Sequence, residues 1–361
     1  MRHIVIRSII LASAAVLSLT GCADVENTGR TTVPFVEEIL DGHNDVLTLM
    51  ESFDARDSRG SIALIGPSAS DTCLAARFLT VDDFDNIDGS PRPDILPDFA
   101  GEQIDIISDE ANAPYKYSAG NQENIRTIAV RNLIAAMDTA CSYGAFDDEK
   151  LQTKLPAKLV VFTSPLNAEA GAFDVDTLCR ASGCRIPVVF PSRLVFGQQL
   201  GRNIEHLHIA VVTDSVTAAS GVYPRVFDEV SKSMGILGTG CVAVCADTLG
   251  SINSILARYK TSGGNMPISA LVVDERSVDI EAVKASLEQV LTVQTEENLN
   301  SRKLITKDFE IVDMDKAVTD ECYRILRKNN IFTHNISYPV SRNYITVKST
   351  NSDGFNLVEK D

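Results

Sequence analysis

Ile209-Ala-Val-Val-Thr213-Asp214-Ser215-Val216-Thr217-Ala-Ala-Ser220-Gly221-Val-Tyr223 sets a strand, a polar turn and the opening of a helix end to end. An unbroken apolar run of this kind suits a strand covered on both faces, the setting of a parallel sheet flanked by helices. Ser220-Gly221 then marks the turn into the next helix. The same alternation recurs along the chain. Strands are predicted at 36–40, 61–65, 103–107, 159–162, 187–190, 208–212, 242–245, 270–273 and 310–312, and long helices at 121–139, 223–234, 279–291 and 316–329. Strands joined by crossover helices define an α/β protein with parallel sheets. Several runs pass directly into polar residues, and in open α/β sheets ligands bind at those carboxyl ends.

At 361 residues the chain exceeds the roughly 250–300 at which single cores divide, so two packed lobes are expected. Residues 33–196 with 309–345 form the first, interrupted by an insertion at about 53–95, and 197–308 form the second. Residues 1–21 read as an export signal, because Arg2 and Arg7 precede an apolar run too short to span a bilayer. Leu19-Thr20-Gly21-Cys22 is similar to a bacterial lipoprotein cleavage site, which makes Cys22 the expected lipidated residue and 22–32 a polar tether. Ala23, where an Asp would signal retention at the inner membrane, favours the outer membrane, on its periplasmic or surface side.

The net charge of −16, with no local run of Lys and Arg, repels phosphate backbones and anionic lipid. Nucleic acid is therefore not an expected partner, and the lipid anchor is the only membrane contact expected. The absence of Trp weakens any case for a sugar-stacking platform. Eight cysteines include Cys22 and leave an odd seven in a compartment that permits disulfides. Cys179 and Cys184 are close enough in sequence to suggest a bridge, whereas Cys241 and Cys245 share one strand face and lie too far apart. With no C-x-x-C or H-x-x-x-H pair, no metal site is expected. Asp82, Asp83, Asp85 and Asp88 miss the calcium-loop pattern, since Ile87 stands where an oxygen ligand is needed and Asp88 where Gly is needed. The stretch 81–97 reads as a solvated acidic loop.

Six further segments matter for their order and spacing. They are Asp41-Gly42-His43 with Leu47-Thr48 behind it, Asp109-Glu-Ala-Asn-Ala-Pro114-Tyr115, and Lys158-Leu-Val-Val-Phe-Thr163-Ser164-Pro165. Ile186-Pro187-Val188-Val189, Ala270-Leu-Val-Val-Asp-Glu275-Arg276-Ser277 and Phe309-Glu-Ile-Val-Asp313-Met-Asp315-Lys-Ala317 complete the set. Together with 209–223 they resemble the glutamate racemases over about 36–331. That resemblance implies two Rossmann-like lobes with a ligand cleft between them, no cofactor, and room for a homodimer. It implies substrate contacts from Asp41, Gly42, Pro114, Tyr115, Ser164, Pro165 and Arg276, with a small amino acid or carboxylate as ligand. Asp41, Thr163 and Glu275 fall at its catalytic positions, but Thr163 and Glu275 stand where that family keeps its two cysteines. Ser277 replaces the His that polarises the second, and Cys245 matches a family cysteine outside the pair. Asp41-Gly-His43-Asn-Asp45 is also similar to the metal-binding start of membrane dipeptidases. His206 and His208 begin a strand and His334 lies in the tail, so the further ligands that family needs at strand ends are not supplied.

Cofactor-free inversion of an α-carbon needs one group to take a proton from one face and another to return it on the other. Two thiols suit that task because both protonation states are reachable near neutrality. A Thr hydroxyl does not ionise usefully. Glu275 serves as a base only if burial raises its pKa, and Arg276 beside it works against that. The expectation is a protein that keeps the cleft, binds a small amino acid or carboxylate, and has lost the two-thiol reaction. A racemase or isomerase using carboxylates, and an unrelated two-lobe solute-binding lipoprotein, are the alternatives.

Overall fold

The computed structural model describes residues 30–67, 72–116, 120–143, 151–202, 204–246, 250–335, 337–349 and 354–360. The export signal, Cys22 and the tether up to residue 29 lie outside the described residues. The first lobe opens with α1 (Pro34–Asp41), α2 (Asp45–Glu51), β1 (Ser61–Gly66), α3 (Thr72–Thr80), β2 (Gln103–Ser108) and α4 (Gln122–Met137). It continues through β3 (Ala140–Ser142), β4 (Leu151–Thr153), β5 (Ala157–Phe162), α5 (Pro165–Ala181), β6 (Val188–Val189) and α6 (Pro191–Leu200). The second lobe comprises β7 (His208–Thr213), α7 (Ser215–Ser220), α8 (Val222–Ser233), β8 (Gly240–Cys245), α9 (Ile252–Thr261), β9 (Ile268–Val273), α10 (Ile280–Thr292), α11 (Glu296–Arg302) and β10 (Ile305–Asp313). The chain then returns through α12 (Met314–Asn329) to β11 (Val340–Lys348) and β12 (Phe355–Lys360).

Two sheets result, ordered β4-β3-β12-β11-β2-β1-β5-β6 and β10-β9-β7-β8 among the described residues. The run from β11 to β6 is parallel, as is the whole second sheet, while the β11–β12 and β3–β4 pairs are antiparallel. The molecule is therefore a mixed α/β protein with two largely parallel sheets. Strands β1, β5 and β9 are buried at every position, as strands covered by helices on both faces must be. Ile62 and Leu64 face one core and Ala63 and Ile65 another, following the two-residue period of a strand. The core holding Ile62 and Leu64 runs on into the second lobe through Val211, Tyr223 and Phe227, so one apolar layer joins the lobes.

Helix α5 is buried along most of its length yet carries three acids. Each has a cation: Asp174 takes Arg126 at 2.6 Å, Glu169 takes Arg193 at 2.7 Å and Asp176 takes Arg180 at 3.0 Å. Buried charge persists only when paired in this way. Asp174 also accepts from the Val33 amide at 2.9 Å, which pins the start of α1. At Gly171 any side chain would collide with Ala129, so the glycine lets α4 and α5 meet at backbone distance.

Four expectations change. Residues 36–40 are helix, not strand: Pro34 sits in the first turn, and the buried Val36 and Ile39 are three apart, a helical spacing. The expected insertion contains β1, which lies between β2 and β5 near the middle of the first sheet. Strand β10 pairs with β9, so 309–313 belongs to the second sheet, and only α12 and the β11–β12 hairpin return to the first lobe. The acidic loop is less solvated than its composition suggests, because its carboxylates hold its own backbone. Asp82 accepts from the amides of Asp94 and Ile95, Asp98 from those of Asp83 and Phe84, and Asp85 from those of Ile87 and Asp88.

Candidate functional site

A cleft of ≈ 390 Å³ lies where the carboxyl ends of the two sheets face each other. The first lobe contributes Pro67 after β1, Pro114 and Tyr115 from the loop after β2, and Thr163, Ser164, Pro165 and Leu166 from the β5–α5 junction. The second lobe contributes Asp214, Val216 and Thr217 after β7 and Asp274, Glu275 and Arg276 after β9. Convergence of strand ends is what an open parallel sheet offers a ligand.

Among the described residues the first-lobe wall carries no formal charge. Thr163 is tied into β1, its amide donating to the Ile65 carbonyl at 2.8 Å and its hydroxyl at 3.1 Å. Ser164 is the N-cap residue of α5, and its side chain does not cap the helix. The first amides of α5 have no intrahelical acceptor, and the helix dipole makes this end attractive to an anion. Tyr115 is fixed from behind: its hydroxyl donates to Asp109 Oδ2 at 2.8 Å, leaving the ring as the lining surface. Asp109 is fully buried and accepts also from Asn132 Nδ2 at 3.0 Å, Asn112 Nδ2 at 2.7 Å and Thr346 Oγ1 at 2.7 Å. Thr346 lies on β11, so the C-terminal hairpin helps to set the cleft loop.

Among the described residues the second-lobe wall is acidic, with Asp214, Asp274 and Glu275 against Arg276. Asp214 caps α7, accepting from the amides of Val216 at 2.8 Å and Thr217 at 3.0 Å. Glu275 accepts from the Ser277 amide at 3.1 Å, and Arg276 reaches Asp315 at 3.5 Å. Asp274 is part-buried and takes two hydroxyls on the same oxygen: Tyr223 Oη in a short hydrogen bond and Thr213 Oγ1 at 3.3 Å. Desolvation raises its pKa to about 7, helped by the charge of Asp315 and opposed by the Tyr223 hydrogen bond and by Arg276. Tyr223 is pushed well above the usual phenol range, first by its own burial and then by Asp274.

Of the residues singled out in the sequence, Pro114, Tyr115, Thr163, Ser164, Pro165, Glu275 and Arg276 meet in this cleft. Asp41 and Gly42 do not line it. Asp41 is exposed at the end of α1 and Gly42 follows as its C-cap, because that segment winds as a helix instead of running as a strand toward the cleft. His43 and Asp45 are exposed as well. Asp274, Tyr223, Asp214 and Asp109 were not anticipated. An acid directly behind the apolar run 270–273 was the available signal for Asp274. Among the described residues no cysteine lines the cleft. Cys179 and Cys184 are both buried as free thiols, with Cys179 hydrogen-bonding Cys184 and holding its pKa down. Among the described residues no group of three or more His, Cys, Asp or Glu side chains is placed to hold a metal ion, and no helix is long and apolar enough to cross a membrane.

Fold and cleft together define the class: a two-lobed α/β protein with a polar interlobe site at the carboxyl ends of its parallel strands. Its sequence matches no protein-family profile and no curated protein. Among solved structures the chain is similar to a glutamate racemase isoform from Bacillus anthracis, with a TM-score of 0.46 and 14% identity over 80% of this chain and 89% of that one. Glutamate racemase from Francisella tularensis in complex with D-glutamate gives the same values, and the Thermus thermophilus enzyme in complex with β-chloro-D-alanine gives 0.45 and 12% over the same shares. At that distance the chemistry of the cleft is read from its own side chains.

Proposed function

We propose that this protein binds a small zwitterion of the amino-acid type in the interlobe cleft, without the two-thiol racemisation chemistry. The supporting observation is the division of the cleft into two unlike walls. One presents the Ser164 hydroxyl and the N-terminal end of α5 to a carboxylate. The other presents Asp214, Asp274 and Glu275 to an ammonium. Thr163 and Glu275 line the cleft in place of sulfur, and a hydroxyl engaged with a backbone carbonyl is no proton carrier at neutral pH. We further propose that the chain acts outside the inner membrane, anchored by a lipidated Cys22 through the 22–32 tether.

The test has two arms. A thermal-shift screen of L- and D-amino acids should give a hit that raises the melting temperature by mass action, while the hit incorporates no deuterium at its α-carbon during incubation in heavy water. Exchange at the α-carbon would establish catalysis and overturn the binding reading. In cells, labelled palmitate should enter the chain and be lost on Cys22→Ala; a wild-type chain that takes up no label sinks the anchor.

A further inference from the structure

We propose that Asp274, keyed by Tyr223 and Thr213, is the receptor for the ligand's ammonium group, and that binding expels a proton from this carboxyl. The inference rests on the binding reading above and names the residue and the ligand group that decide it. Both hydroxyl donors fall on Oδ2. Oδ1 takes no hydrogen bond from any described residue and belongs to a side chain that lines the cleft. One oxygen is thus fixed and the other is presented.

The surroundings favour a cation at that oxygen. Arg276, from the same loop, is drawn toward Asp315 on α12 at 3.5 Å. Glu275 beside it and Asp214 on the β7–α7 loop add negative charge to the same wall. Behind Tyr223, the buried Glu169 of α5 adds a further negative field, partly cancelled by Arg193. Burial, aided by the charge of Asp315, raises the Asp274 carboxyl to about 7, so it holds a proton up to neutral pH. An arriving ammonium reverses the balance, since an opposite charge at hydrogen-bond distance favours the ionised form. A carboxylic acid presents an O–H to that ammonium, so the proton must leave for the contact to form.

The experiment is calorimetric titration of the full chain in detergent with glycine, L- and D-alanine, and L- and D-glutamate. Each is matched by its deamino analogue: acetate, propionate or glutarate. The amino acid that binds should do so at least about tenfold more tightly than its analogue, and its affinity should rise about thirtyfold between about pH 5.5 and about pH 8. Proton release should register as a dependence of the heat on the ionisation enthalpy of the buffer. Asp274→Asn should remove the preference for the amine and the pH dependence together. Tyr223→Phe should move the pH midpoint upward, because it removes a donor that favours the carboxylate; a merely structural tyrosine would weaken binding at every pH without moving the midpoint. Analogues that bind as well as the amino acids, or a pH dependence that survives in Asp274→Asn, would overturn the assignment and leave the cleft as a carboxylate site. Silence from every compound would overturn both readings.

Discussion

Asp109 and Asp274 stand in the same kind of place, each one residue past the end of a parallel strand and each anchored through its amide to a neighbouring strand, at 2.7 Å to Gly66 O and 2.9 Å to Val212 O. Their side chains are put to opposite use. Four side-chain donors fill both oxygens of Asp109 and seal it in the core. Among the described residues only two reach Asp274, both on one oxygen, and the residue lines the cleft. A strand-end carboxylate with every lone pair occupied is architecture; one left half-satisfied at a cavity wall is where a ligand completes the bonding.

The largest effect expected from this contrast is at Asp109. Asp109→Ala strands the part-buried amide of Asn112, the buried amide of Asn132 and the hydroxyls of Tyr115 and Thr346, and should cost about 3–5 kcal/mol of stability by urea unfolding. The loss should be greater than for any single substitution on the acidic wall. A loss below about 1 kcal/mol would mean that the hub does not hold the cleft loop, and the comparison would fail at its structural end.

Asp274 should behave in the reverse sense. An aspartate ionises near 3.9 in an unfolded chain, and this one does so at about 7 in the fold. Between those values the folded state holds a proton that the unfolded state has released, so stability falls as pH rises through the window and the full cost of ionising the buried group is present above it. Asp274→Asn never bears that cost. Its stability relative to the wild type should improve by about 2 kcal/mol between pH 5 and pH 8, read from paired urea titrations. A gap that narrows with rising pH would show a carboxylate stabilised by its surroundings, and Asp274 would then resemble Asp109.

How much of this was legible beforehand follows from the same physics. Strands covered on both faces read as continuous β-branched runs, so β1, β2, β5, β7 and β9 were visible to within a few residues at their ends. The hairpin of β11 and β12 was not, because half of β11 is exposed and its polar and apolar residues mix. The pairing of β3 with β12 and β4 depends on partners distant in sequence. Seven residues of the cleft were reached through motif spacing. Asp274 was missed by one position, where register decides which neighbour turns to which face. Tyr223, fifty-one positions away, gave no local sign of its bond to that acid.

Asp41 supplies the smallest expected effect and a separate check. Motif spacing alone gave it a place in the site; the fold puts it at the exposed carboxyl end of α1. A negative charge there opposes the helix dipole, so Asp41→Ala should be neutral or stabilising by about 0.3 kcal/mol, and ligand affinity should not change. Helix α1 starts at a buried contact, the Val33 amide on Asp174, and has Val36 and Ile39 in the core, so its far end is not free to swing toward the cleft. A tenfold loss of ligand affinity in Asp41→Ala would require that swing. It would also restore Asp41 as a fourth carboxylate with access to the ligand, and the distinction between an acidic binding wall and a neutral one would no longer hold.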